Sequence, residues 1–167
     1  MLLDAIKISI PTFSVKNISD YYLSKQDQKI LNRLAISYSE ENQPDKAVEI
    51  MYELKHNYDK HCIDSEEMGL YYPAIIYSLA RFLGEADRLE ESLEICDIGF
   101  NVCKETRSLY RLPFILCLKA ANLGWLGRKD ESMKLFAQIV NMMELYEMHD
   151  DIIAVKRQMK EVLGVDM

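Results

Sequence analysis

Three stretches of this chain superpose on one another, and that self-similarity narrows the possible folds more than any other feature of the sequence. With Pro73 set on Pro113, YPAIIYSLARFLGEADRLEESLEICDIGF runs beside LPFILCLKAANLGWLGRKDESMKLFAQIV at an offset of 40 residues. A third copy, QKILNRLAISYSEENQPDKAVEIMYEL, starts at Gln28, 45 residues before Pro73. A unit of this length cannot bury its apolar face alone, so the copies must stack. Counting Gln28, Pro73 and Pro113 as the first residue, position 4 holds Leu31, Ile76 and Leu116, position 8 holds Ala35, Ala80 and Ala120, and position 11 holds Tyr38, Leu83 and Leu123. That spacing is one stripe of a helix. Position 20 is small in every copy (Ala47, Ser92, Ser132), and position 24 is Met51, Cys96 and Phe136. Small residues at 8 and 20 let two antiparallel helices approach closely while the larger ones fill the space around them. Each copy is therefore expected to be an A helix and a B helix, with Ala35 against Ala47, Ala80 against Ser92, and Ala120 against Ser132.

Composition agrees with an all-α chain. Of 167 residues, 49% are hydrophobic and 28% charged, which is enough apolar material for a core. Six glycines and four prolines are too few for the turns of an all-β protein. The formal charge of -7 repels phosphate backbones and anionic lipid, so nucleic acid is not expected to bind this chain itself. Basic groups such as Arg128 with Lys129, or Lys156, Arg157 and Lys160, read as solvated surface. The four cysteines form no CxxC pair, which points to buried thiols in a reducing cytoplasm rather than a zinc or redox site. No secretory leader or membrane span is expected: the most apolar stretch, residues 109–126, contains Arg111, Pro113, Lys119 and Asn122.

The boundary signals predict helices over 2–10, 25–41, 44–58, 65–85, 88–105, 108–126, 129–146 and 151–163, with a short turn near 17–22. Ser24 with Asp27 has the form of a capping box, Pro44 suits the first turn of a B helix, and Ser65 with Glu66 and Glu67 can open the next A helix. Asp87 and Gly127 mark turns inside pairs, and Gly164 stops the last helix. Three regions result: 1–23, the end of a truncated pair and its connecting turn; 24–149, three helix pairs; and 150–167, a C-terminal capping helix. Residues 2–10 offer apolar side chains with no preceding partner, so the chain is expected to be a fragment of a longer protein. Lys119 falls on the core stripe, so either its stem snorkels past Trp125 or the third A helix is rotated from this register.

The pattern resembles the tetratricopeptide repeat (TPR), whose signature places large, small and aromatic groups at these positions. It departs in lacking Pro at position 32 (Asp59, Lys104, Glu144) and in exceeding the usual period of about 34 residues, which implies longer helices. DAIKISIPTF followed by LSKQDQKILNRLAISY also resembles the C-terminal region of Gram-positive regulators of the Rgg, PlcR and NprR kind, where a helix-turn-helix DNA-binding domain precedes TPR-like repeats. That likeness implies a sensory or dimerising domain of a transcription regulator, a homodimer, and nucleic acid reached only through a separate N-terminal domain absent from this chain. A stand-alone TPR adaptor or scaffold without a DNA-binding partner domain is the alternative. A regulatory phosphatase-like helical protein is a third reading, disfavoured because no metal or nucleophile set converges.

No catalytic residues, metal site or cofactor are expected. His56 and His61 are five apart and do not share a helical face, His61 with Cys62 reads as loop, and consecutive acids such as Glu90 and Glu91 diverge by about 100° on a helix. No phosphate-loop, dinucleotide, zinc-protease or serine-hydrolase motif occurs. What the sequence offers is an inner wall. In such a stack the A helices line the concave side, at positions opposite the core stripe. Those positions hold Lys29, Asn32, Arg33 and Ile36, then Tyr77, Arg81 and Glu85, then Phe114, Cys117 and Trp125, with Tyr71 and Arg111 as upstream extensions. The expected peptide-binding residues are Lys29, Asn32, Arg33, Tyr71, Tyr77, Arg81, Arg111 and Phe114. An amide meets a peptide backbone as donor and acceptor, arginines pair with carboxylates, and rings pack apolar side chains.

Overall fold

Each helix begins and ends where local chemistry dictates. The computed structural model describes residues 2–61 and 65–164, with the backbone alone at residues 3 and 65–67. It contains α1 (Leu2–Ser9), a 3-10 turn (Val15–Asp20), α2 (Lys25–Glu40), α3 (Pro44–His61), α4 (Ser65–Leu70), α5 (Tyr72–Glu85), α6 (Leu89–Glu105), α7 (Leu112–Trp125), α8 (Lys129–Leu145) and α9 (His149–Leu163). No strand occurs among the described residues. The Ser24 capping box forms as expected: the Ser24 hydroxyl accepts from the Asp27 amide at 3.2 Å, and the Asp27 carboxylate accepts from the Ser24 amide at 3.0 Å. Ser9 donates to the same carboxylate at 2.6 Å, fastening α1 to α2. The cap expected from Ser65, Glu66 and Glu67 lies outside the described side chains, as does Cys62.

One turn geometry closes five of the helices. Asn42, Asp87, Arg107, Gly127 and Glu147 all have φ between 54° and 81°, the left-handed residue just past a helix end. In each case the next amide reaches back to a carbonyl five residues earlier: Gln43 to Tyr38, Arg88 to Leu83, Ser108 to Cys103, Arg128 to Leu123 and Met148 to Met143, at 2.8 to 3.0 Å. That six-to-one bond satisfies a carbonyl the helix itself cannot. After α2, α5, α7 and α8 the turn reverses the chain within three residues, while after α6 six residues, 106–111, intervene before α7.

Two of the predicted helices are corrected. The span 65–85 breaks at Tyr71, and 108–126 starts only at Leu112, after Arg111 at φ 63°. Pro73 and Pro113 are the cause in both. A continuous helix would need their missing N–H and would drive the ring into the carbonyl four residues back, at Gly69 and Leu109. The B helices run 18, 17 and 17 residues against 16, 14 and 14 for α2, α5 and α7, and the extra length of the repeat lies partly there and partly in the connections from B to the next A helix, α4 before α5 and residues 106–111 before α7.

Packing follows the repeat register. α2 lies on α3, α5 on α6 and α7 on α8, and each B helix lies on the following A helix, ending with α9 against α7 and α8. Ala35, Ala80, Ala120, Ala47, Ser92 and Ser132 are all fully buried. The Ser92 hydroxyl donates to the Ala80 carbonyl at 2.6 Å and Ser132 to that of Ala120 at 2.7 Å, so positions 8 and 20 touch in both pairs. Asn122 then donates its amide to Ser92 at 2.6 Å, stitching the third pair to the second through buried polar groups. Gly99 lets the stack close: a methyl there would stand 2.6 Å from Ile76 and 3.1 Å from Ile115. Lys119 settles as a snorkelling side chain, its ammonium paired with Asp97 of α6.

The curvature can be read from which helices meet. α2 packs on α5, α5 on α7 and α7 on α9, whereas among the described residues the backbones of α3 and α6, and of α6 and α8, do not approach closely, and α3 reaches α6 through side chains, the Tyr52 hydroxyl donating to Glu91 at 3.3 Å. Neighbouring A helices are therefore closer than neighbouring B helices, and the A side is the concave one.

Candidate functional site

The inner wall presents two grooves, one at each end of the row α2, α5, α7, α9. The first lies between α2 and α5, encloses about 90 Å³, and is lined by Lys25, Gln28, Lys29, Asn32, Leu54, Tyr71, Ala74 and Ile75. Gln28, Lys29 and Asn32 reach it together because residues three and four apart share a helix face. The Lys25 ammonium lies 4.8 Å over the Tyr71 ring, which sits at the Pro73 break. The Asn32 Oδ1 is buried and has no hydrogen-bond partner. An amide oxygen left so costs roughly 1 to 3 kcal/mol.

The second groove encloses about 130 Å³ between α7 and α9, lined by Tyr77, Phe114, Cys117, Leu118, Asp151, Ala154, Val155 and Gln158. Tyr77 and Phe114 meet edge to face at a centroid distance of 6.3 Å. The Arg111 guanidinium rests on both rings at 5.7 Å and on Tyr110 at 5.3 Å, while its Nε is buried without a hydrogen-bond partner. Arg111 is also the one non-glycine residue with positive φ, among those described, that precedes a helix as its N-cap rather than following a helix's last turn. Desolvation pushes the Cys117 thiol up to about 12, with the Asp151 charge adding to the effect, so this groove holds a neutral thiol and no nucleophile.

The expected wall residues divide into three groups. Lys29, Asn32 and Tyr71 converge on the first groove, and Tyr77 and Phe114 on the second with Arg111 against them. Arg81, on α5, has its charge matched by Glu85, 3.4 Å from its Nε, and its guanidinium lies 4.6 Å over Phe82, although that Nε, like the Nε of Arg111, is buried without a hydrogen-bond partner. Glu85 also accepts from Ser39, which joins α2 to α5. Arg33 is exposed and lines neither groove. Arg111 precedes α7 rather than extending it, so it reaches the wall from a turn. Lys25, Gln28, Ala74, Ile75, Asp151 and Gln158 were not expected there. For α9 a signal existed, since Asp151, Ala154, Val155 and Gln158 follow the i, i+3, i+4, i+7 spacing of one face.

Among the described residues, no group of three or more His, Cys, Asp or Glu is placed to hold a metal ion, and no helix is long and apolar enough to cross a membrane. No family model matches the sequence. No curated protein matches it either. The fold does have a counterpart: the crystal structure of kinesin light chain-like, nearly identical TPR-like repeats from Podosopora anserina is similar over 98% of this chain and 74% of that one, with a TM-score of 0.70 and 16% identity. At that identity the likeness is one of architecture, and the chain has the TPR-like repeat fold, an all-α stack of antiparallel helix pairs.

Proposed function

We propose that this chain is a non-enzymatic module that binds an extended peptide or protein segment on its concave wall. The observation that carries the reading is the pair of grooves on one wall, each with a buried polar atom that has no partner in it or beside it, Asn32 Oδ1 and Arg111 Nε. A peptide backbone supplies what those atoms lack, donors for the amide and carbonyls or carboxylates for the guanidinium. Lys29, Tyr71, Tyr77 and Phe114 add charge and ring surface, and Arg33 and Arg81 flank the path. Residues 24–149 would form the binding stack, with 150–167 closing it and contributing the far lip of the second groove.

The biological setting rests on the sequence resemblance to Gram-positive regulators. On that reading the domain is cytoplasmic, homodimeric and sensory, and acts on DNA through an N-terminal helix-turn-helix domain of the same protein. The native gene upstream of Met1 tests this: an adjoining helix-turn-helix segment supports the regulator, and its absence leaves a stand-alone adaptor. Binding itself is tested by a thermal-shift screen of host-encoded short peptides. The Arg81→Ala, Arg111→Ala double variant should weaken an identified peptide by about 1.5 to 3 kcal/mol, mostly through Arg111, because Glu85 already matches Arg81. Full affinity in that variant would refute the wall as the binding site.

A further inference from the structure

The terminal helix α9 is covered on one side only. Its buried stripe, Ile152, Val155, Met159 and Leu163, packs on α7 and α8, and among the described residues no other helix backbone comes close to it. At about 100° per residue, the face directly opposite that stripe carries Asp150, Ile153, Arg157 and Glu161, with Ala154 at its edge. All five are exposed. Ile153, in the middle of the face, is 61% exposed, and among the described residues neither Asp150 nor Arg157 joins an ion pair. An acid in the first turn and a base further along suit the helix dipole, but the dipole gives no reason for a bare isoleucine between them.

That face is complementary to itself when turned end for end. A second copy's α9, laid antiparallel with the twofold axis between residues 153 and 154, sets Ile153 over Ala154 of the second copy, where the small side chain admits it. The same axis sets Asp150 against Arg157 of the second copy, and by symmetry Arg157 against its Asp150. Glu161 then meets the turn at Tyr146, an exposed phenol whose hydroxyl can donate to a carboxylate. A parallel pair in register instead puts Asp150 on Asp150 and Arg157 on Arg157, and like charges facing each other disfavour it.

We infer that the outer face of α9 is the contact between two copies of this chain, an isologous antiparallel helix pair centred on Ile153 and closed at each end by an Asp150 to Arg157 bridge. This rests on the homodimer read above and gives it a place, while the peptide-binding wall does not depend on it. Two 15-residue helices that meet along one face bury less than the roughly 1,200 Å² at which stable interfaces begin, so the dimer is reversible and forms as concentration rises. Ala154 also stands on the lip of the α7/α9 groove, which seats the second copy beside that groove.

The test is sedimentation equilibrium of the full chain between about 1 and about 500 µM, with circular dichroism melting to confirm that each variant is folded. Wild type should show a reversible monomer to dimer equilibrium. Ile153→Glu should weaken the dimer at least tenfold. Asp150→Arg and Arg157→Asp should each weaken it severalfold, because either one sets like charges together at both ends of the contact. Mixing the Asp150→Arg chain with the Arg157→Asp chain should restore dimers, since the first then presents two cations where the second presents two acids, and both substitutions in one chain should restore them as well. A dimer that tolerates Ile153→Glu, or charge reversals without effect or without rescue in the mixture, overturns this inference and leaves the homodimer to another surface. A chain that stays monomeric throughout overturns the homodimer too.

Discussion

Replacing Ser92 by Ala should destabilise the chain far more than replacing Ser132 by Ala, although the two serines occupy the same repeat position. Both are fully buried, and both donate to the carbonyl of the position-8 alanine, at 2.6 and 2.7 Å. Losing that bond alone is a matter of about 0.5 to 1.5 kcal/mol, since the carbonyl keeps its second lone pair engaged within its own helix. Ser92 has a second duty as the acceptor for the Asn122 amide at 2.6 Å, and Asn122 is itself buried. Ser92→Ala therefore leaves an amide N–H without a partner, adding about 1 to 3 kcal/mol. The expected losses are about 1 kcal/mol for Ser132→Ala and about 2 to 4 for Ser92→Ala, or Tm decreases of roughly 2 to 4 °C for each kcal/mol in a domain of this size. Urea unfolding followed by circular dichroism measures both. A double-mutant cycle sharpens the result, because Asn122→Ala should cost less in the Ser92→Ala background than in wild type. Equal losses for the two serines, or additivity in the cycle, would refute the buried polar link between the second and third pairs.

Three further outcomes follow from other contacts. Gly99→Ala gains about 1 kcal/mol of helix propensity but drives a methyl to 2.6 Å from Ile76 and 3.1 Å from Ile115, both fully buried, and overpacking of about 1 to 3 kcal/mol outweighs that gain, so chemical denaturation should show a net loss. Burial works to raise the Asp27 pKa, but hydrogen bonds from Ser24 and Ser9 outweigh it and hold the carboxyl below its usual range. A depressed folded pKa contributes stability above the unfolded value near pH 4 that is lost as pH falls through the folded one, so Asp27→Asn should lower stability at neutral pH and flatten its decline in acid titrations. Desolvation, the main cause in each case, pushes the Cys96 and Cys117 thiols up to about 12 and raises Cys103 as well, so at pH 8 a thiol reagent should modify at most one of the four cysteines until the chain unfolds.

The parts of the fold legible in the sequence are those governed by periodicity and caps. The contact of position 8 with position 20 was readable because both stay small in every copy, and the capping box at Ser24 because it needs only residues three apart. The turns at Asp87 and Gly127 were readable from residues that tolerate positive φ. Arg107 and Glu147 adopt the same left-handed geometry with no such preference, because the stacking of the helices on either side outweighs a local strain of about 1 to 2 kcal/mol. The breaks before Pro73 and Pro113 were present in the sequence as well. Each proline marks the start of a repeat, and the steric exclusion that follows from that placement rules out the longer A helices expected upstream.

The wall was less legible, for a physical reason visible in its two arginines. Helical spacing puts Arg81 and Arg111 on the same side of successive repeats, and on that ground they were equivalent ligand groups. Yet Arg81 has Glu85 four residues ahead on its own helix, a pairing the sequence already contained, and the structure shows the two at 3.4 Å. Arg111 has no acid at that spacing, lies outside the helix, and is held by three rings brought from α5, α7 and the preceding turn. Whether a charged group is spent on its neighbours or left for a ligand depends on contacts between helices, and periodicity within one helix carries no information about them. The same holds for Asn32, which shares the first groove with Ala74 and Ile75 of α5 and whose oxygen is unpartnered, and for Asp151, which belongs to the wall because α9 packs on α7 as the next A helix of the stack.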